Sequence, residues 1–158
     1  MNFYDGKKLA RGGRLFMSAL LACVFYSVAV PHVSAANDKP ELHLTSRPVS
    51  GSTLQNSQVI AQGRVSYSDA HDGFQVWLDA DRNGHLSNQY ILIGKNDSDH
   101  QLRVRIEQDG CITDIKEGKG IIKLTGEDQA DFSIVVDGDQ NVTPDEYAIV
   151  AHAGVIVP

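Results

Sequence analysis

Apolar and polar residues alternate with a period of two over most of the chain beyond residue 40. Glu41-Leu42-His43-Leu44-Thr45 alternates without a break. Val59, Ala61, Gly63, Val65 and Tyr67 share one face of the next segment. Phe74, Val76 and Leu78 alternate with Gln75, Trp77 and Asp79, and Tyr90 to Ile93 is a short apolar run. Leu102, Val104 and Ile106 alternate with Arg103, Arg105 and Glu107. Phe132, Ile134 and Val136 form another set, and Tyr147, Ile149, Ala151, Ala153 and Val155 the last. Successive side chains of a strand point to opposite faces, so each segment predicts a strand buried on one side.

Turn-forming residues separate these runs: Pro48 to Ser57, Ser68 to Gly73, Asp81 to Gly84, Asn96 to Asp99, and Asp137 to Asn141. No segment beyond residue 36 repeats apolar residues at helical spacing over three turns. Six or seven short strands without helices predict an all-β sandwich or barrel. Two details favour an immunoglobulin-like sandwich. Trp77 falls on the third strand, where such domains bury a tryptophan. Tyr147 follows Pro144-Asp145-Glu146 and opens the last run, the position of a tyrosine corner.

Residues 1–36 read differently. Lys7, Lys8, Arg11 and Arg14 precede an apolar run from Leu15 to Val30, and Val33-Ser34-Ala35 supplies small residues for cleavage. This is the pattern of a cleaved secretory signal. The apolar run of 16 residues is short of the roughly 20 that a spanning helix needs. Lipid attachment at Cys23 would leave Val24-Phe25-Tyr26 at the new N-terminus, which disfavours it. Residues 37–158 are then a single domain, without repeat, linker or low-complexity tract.

Charge narrows the partners. The 158 residues carry 14 Lys+Arg and 20 Asp+Glu, net −6. Taking the leader's four basic residues and one acidic residue from those totals leaves 10 and 19, net −9. That disfavours nucleic acid and anionic lipid as partners. A hydrophobic content of 42% excludes a disordered chain. Only Cys111 remains after the leader is removed, so no internal disulfide can form, and a partly buried loop thiol is expected.

Two segments invite a calcium reading. Asp79-Ala80-Asp81-Arg82-Asn83-Gly84 has the first half of a calcium loop, but Tyr90 stands where a bidentate Glu belongs. Asp137, Asp139, Asn141, Thr143 and Asp145 are correctly spaced, yet Val142 replaces the turn glycine. Both are read as polar loops and no metal is assigned. His43, His71, His85, His100 and His152 have no ligand-spaced neighbours, and no Gly-x-Ser-x-Gly elbow or phosphate loop is present. No cofactor and no catalytic residue is expected. The chain reads as a binding or assembly protein, with a secreted calcium- or ligand-binding sandwich as the alternative.

Several stretches resemble the AfaD-type invasin subunits, tip components of Afa/Dr-like and Saf-like chaperone–usher fimbriae. They are Glu41 to Arg47; Gly63-Arg64-Val65 with Ala70-His71-Asp72-Gly73-Phe74-Gln75-Val76-Trp77; His100 to Arg105; and Gln140 to Tyr147. One departure is plain. The family pattern has cysteines in the second strand and near the C-terminus, where this chain has Val65-Ser66-Tyr67-Ser68 and Ala153-Gly154-Val155-Ile156-Val157. A missing bridge of that kind typically costs about 2–5 kcal/mol.

The resemblance implies an immunoglobulin-like sandwich lacking one strand, exported through the periplasm to the cell surface or fimbrial tip. A periplasmic chaperone, an outer-membrane usher and a neighbouring subunit's donor strand are the implied assembly partners. An integrin-type host receptor is the implied outward partner, with attachment to or entry into host cells as the role. The groove for the added strand would be lined by Leu42, Leu44, Tyr147, Ile149, Ala151, Ala153 and Val155. Asn37-Asp38-Lys39-Pro40 has no alternating apolar character, so the subunit is expected to accept a strand without giving one. That predicts a tip position.

Overall fold

The computed structural model describes residues 39–158. The leader read over residues 1–36, with Cys23, lies outside the described residues, as do Asn37 and Asp38. Among the described residues, twelve strands and no helix follow in chain order. They are β1 (Glu41–Ser46), β2 (Thr53–Leu54), β3 (Val59–Ser66), β4 (Gly73–Leu78), β5 (Asp81–Arg82) and β6 (Gln89–Ile93). Then come β7 (Gln101–Glu107), β8 (Ile112–Thr113), β9 (Ile121–Leu124), β10 (Gln129–Val136), β11 (Gln140–Asn141) and β12 (Ala151–Ile156).

Two antiparallel sheets carry the architecture. The larger has the order β1-β3-β10-β7-β6-β5 and the smaller β12-β4-β9-β8, while β11 pairs with β2 alone. Their inner faces supply the core: Val65, Val104, Ile106, Phe132 and Ile134 from one, Phe74, Val76, Leu78 and Ile121 from the other. Burying a side chain of this size contributes about 1.5–3 kcal/mol. The periodicity predicted an all-β sandwich or barrel; the structure is a sandwich, of the immunoglobulin-like kind expected, and its two sheets are not closed along one side.

The alternation of β7 is kept intact, with Leu102, Val104 and Ile106 inward. That of β3 is interrupted. Its ladder with β10 steps from Ile134↔Ala61 to Val135↔Val59, so Ile60 is an inserted residue. Ile60 and Ala61 are both buried as a result, the two-against-one arrangement of a β-bulge.

Three sequence expectations need correction, and one strand was not foreseen. Trp77 is not the buried core tryptophan. Phe74, Val76 and Leu78 take the inward positions of β4, and parity turns Trp77 outward, where it is half-buried. The last strand begins at Ala151, not Tyr147; Tyr147 makes only an isolated bridge to Gly94. Ile121–Leu124, too short to show a period, forms β9 against β4. Arg105 is not on a solvated face like Arg103. Its side chain is 15% exposed, and it donates to Asn56 Oδ1 (2.7 Å), Ser57 Oγ (2.6 Å), Glu107 Oε1 (2.7 Å) and Asp137 Oδ1 (3.1 Å).

Candidate functional site

β1 and β12 are the edges of different sheets, and each has a ladder partner on one side only. β1 pairs with β3 through Leu42↔Val65 and Leu44↔Gly63. β12 pairs with β4 through Ala151↔Leu78, Ala153↔Val76 and Val155↔Phe74. Among the described residues, nothing is hydrogen-bonded to the other side of either strand. Each edge therefore presents unpaired N–H and C=O groups, the feature that templates an added strand.

Of the seven residues singled out from the sequence for this seam, Leu42 and Leu44 lie on β1 and Ala151, Ala153 and Val155 on β12, while Tyr147 and Ile149 lie in the segment before β12. Leu42, Leu44, Tyr147, Ile149, Ala151, Ala153 and Val155 are all half-buried and pack against the core. Their ladder partners are sealed: Val65, Phe74 and Val76 are each 1% exposed. An inward-facing apolar row that stays half-exposed marks a place where the core is not covered. The polar alternates of β1, Glu41, His43 and Thr45, face solvent. The seam is thus lined by uncharged side chains and walled by two hydrogen-bonding edges.

Part of the floor was not anticipated. Gly63 lies between Leu44 and Phe132 in the cross-strand row. The Phe132 ring occupies the space a β-carbon on Gly63 would need. The ring thereby fills the floor beside Leu44. The available signal was a glycine at an inward strand position, which marks close approach by a neighbour.

The lead-in to β12 is held firmly. Tyr147 Oη donates to the carbonyl of Thr143 at 2.8 Å, the bond expected of a tyrosine corner. Asp145, its side chain 1% exposed, accepts from His100 Nδ1 (2.9 Å), Asn96 Nδ2 (2.6 Å) and the backbone N–H groups of Asn96, Asp97 and Glu146. Burial alone would push this carboxyl up; the bonds from His100, Glu146 and Asn96 outweigh it and hold it well below the usual range. Lys95 N donates to Glu146 O at 2.9 Å, adding a backbone tie.

The two calcium-like segments are otherwise engaged. Asp81 and Arg82 pair with Ile91 and Tyr90 in a hairpin that turns at Gly84, whose φ is 94°. Asp137 accepts from Arg105 and Gln89, and Asp139 from the backbone N–H of Asn56. Among the described residues no three His, Cys, Asp or Glu side chains gather as a metal site. Cys111 is a free, half-buried thiol, as expected. It borders a depression on the outer face of the large sheet, where Arg64 and Asp131 pair at 2.6 Å.

Comparison with known proteins gives a consistent picture. The family described as the enterobacterial AfaD invasin protein matches residues 50–153. Protein AfaD of Escherichia coli is 35% identical over 127 residues, covering 80% of this chain and 86% of that protein. Among solved structures, the minor tip subunit HdaB of the E. coli Hda pilus superposes with a TM-score of 0.72 at 29% identity. That match covers 76% of this chain and 85% of HdaB. The Salmonella SafD adhesin matches with a TM-score of 0.72 at 33% identity, over 75% and 85% of the two chains.

Proposed function

This chain belongs to the AfaD invasin family, and from that premise we propose that it is a fimbrial tip subunit that accepts a donor strand between β1 and β12. The carrying observation is the seam: two sheet edges that carry the half-buried apolar residues Leu42, Leu44, Ala151, Ala153 and Val155. An unpaired apolar edge aggregates unless it is covered. A periplasmic chaperone would cover it first. The outer-membrane usher would then exchange the chaperone for the N-terminal strand of the next subunit. Main-chain hydrogen bonds to both edges would supply affinity, and alternate side chains entering the seam would supply selectivity. The likeness to HdaB, a minor tip subunit, supports export to the cell surface and a place at the fibre tip. Attachment to or entry into host cells is the role this position serves.

Seating the strand requires movement. At their closest, Cα atoms of β1 and β12 come within 8 Å of each other. Two inter-strand spacings need about 9–10 Å. The donor would therefore part the two edges as it enters.

The test is recovery from the periplasm of a bacterium expressing the full chain with its chaperone. The expected result is a one-to-one complex from which a neighbouring subunit's N-terminal peptide displaces the chaperone. Hydrogen exchange at β1 and β12 should then slow on peptide binding. A stable monomer without partner, its β1 and β12 amides already protected, would mean that the sandwich is complete and the reading wrong.

A further inference from the structure

A second concavity, of about 420 Å³, opens beside the C-terminal end of β4. One wall is aromatic. Trp77 stacks on its ladder partner His152, with ring centroids 5.7 Å apart and planes 17° from parallel. The facing wall is cationic: Lys119 Nζ lies 4.0 Å from the indole centroid, and Arg82 lies close against Gly118. Asp79 is the one acidic residue on the lining, which also includes the buried Tyr90.

The loop that carries Lys119 is rigidly constructed. Asp114 is 4% exposed and accepts from the backbone N–H groups of Lys116 (3.0 Å), Glu117 (3.1 Å) and Lys119 (3.1 Å). Gln75 Nε2 bridges Asp114 Oδ2 (3.1 Å) and the carbonyl of Lys119 (2.8 Å). Gly120 has φ +68° and leaves no room for a β-carbon against the Val76 carbonyl. Ser87 locks it further, with Ser87 Oγ donating to Gly120 O at 2.6 Å. Lys119 is thus anchored on both sides while its side chain stays exposed.

The charge here opposes that of the molecule. The chain is net −6, yet this pocket gathers Arg82 and Lys119 around a single Asp79. Flat aromatic surface offers stacking for the C–H face of a sugar ring. Lys119 and Arg82 offer charge-assisted hydrogen bonds to an anionic substituent, and the Asp79 carboxylate can accept from a hydroxyl. The Lys119–Trp77 contact is an exposed cation–π pair, which a ligand displaces at small cost. The volume suits one or two sugar rings and is small for a folded partner or long peptide. We propose that this pocket binds an acidic saccharide, its carboxylate or sulfate held by Lys119 and Arg82 and its ring against Trp77.

Trp77 is the only tryptophan of the chain, so its fluorescence reports this pocket alone. The purified protein is titrated with the methyl glycoside of N-acetylneuraminic acid, a sulfated heparin disaccharide and neutral lactose at constant ionic strength. A saturable change with either acidic sugar, at least about tenfold stronger than with lactose, is expected; which acid responds tells carboxylate from sulfate. Lys119→Glu and Arg82→Glu should each weaken it about tenfold or more without lowering Tm. Three results would overturn the proposal: no saturable change, an equal response to lactose or a glutamate-rich peptide, or unchanged affinity in both variants.

Discussion

His100 Nδ1 donates to Asp145 Oδ2 at 2.9 Å, and that bond fastens the β6–β7 loop to the segment leading into β12. Asp145 is sequestered from solvent and gathers four further donor groups, three of them backbone N–H. One carboxylate therefore ties the segment before β12 to the β6–β7 loop.

The Asp145 carboxyl is depressed below its ordinary value of 3.8, burial being outweighed by the His100, Glu146 and Asn96 bonds. Its contribution to stability is therefore complete above that ordinary value and is lost as pH falls through it toward the folded-state value. Asp145→Asn should lower Tm at neutral pH, and its deficit against the parent should shrink as the pH approaches about 2. Thermal melts across that range check this; a deficit independent of pH would assign the loss to packing.

Tyr147→Phe removes one hydrogen bond, from Oη to the Thr143 carbonyl, and keeps the ring. A loss of about 0.5–1.5 kcal/mol is expected in denaturant unfolding. The isolated bridge from Tyr147 to Gly94 should survive, visible as unchanged chemical shifts around Gly94.

Gly63→Val should push the Phe132 ring out of its place beside Leu44. Overpacking of this kind costs about 1–3 kcal/mol. Because the ring is part of the seam's floor, the variant should also bind a donor peptide more weakly than its lowered stability alone explains. Gly154→Ala is the control, since a β-carbon there meets Trp77 only at an ordinary 3.6 Å.

Ala153→Leu adds bulk inside the seam, opposite Val76. The side chain can fold into open space, so Tm should change little. The competing donor peptide should bind about tenfold more weakly, read by competition with the chaperone.

Asp114→Ala leaves the N–H groups of Lys116, Glu117 and Lys119 without their acceptor. A cost of about 1–3 kcal/mol is expected. The Trp77 emission should shift as Lys119 loses its fixed position over the ring. The Asp114 carboxyl is raised by burial but held below its ordinary value by Glu117, Lys116, Lys119 and Gln75. The same shift in emission should therefore develop in the parent protein only in strong acid.

The strands were legible wherever alternation ran long enough. Leu102 to Ile106 and Phe132 to Val136 fell where expected because Leu102, Val104 and Ile106, like Phe132, Ile134 and Val136, are buried at alternate positions. Ile121–Leu124 was not, being four residues long with both faces partly covered. Nor were β2 and β11, two-residue strands joined across the chain inside segments rich in turn residues. The Trp77 expectation failed through a fold analogy that ignored parity: three inward positions on β4 were already filled. The family resemblance carried by Gly63 to Val65, Ala70 to Trp77 and Gln140 to Tyr147 holds, and those stretches lie within the matched residues.

Side-chain parity follows from the chain's own repeat, since consecutive residues of a strand must face opposite ways. That is why Leu42 with Leu44, and Ala151 with Ala153 and Val155, could each be named as an apolar row, while their joining into one groove is what the family resemblance implied. Which edges adjoin is another matter. Residues 47–150 lie between β1 and β12, and their proximity results from ladder pairing and from two sheets stacking on a shared core. The same holds for Phe132 beneath Gly63 and for Lys119 over Trp77. Contacts between residues far apart in the chain depend on the packing of everything between them, and no local pattern of polar and apolar residues encodes that.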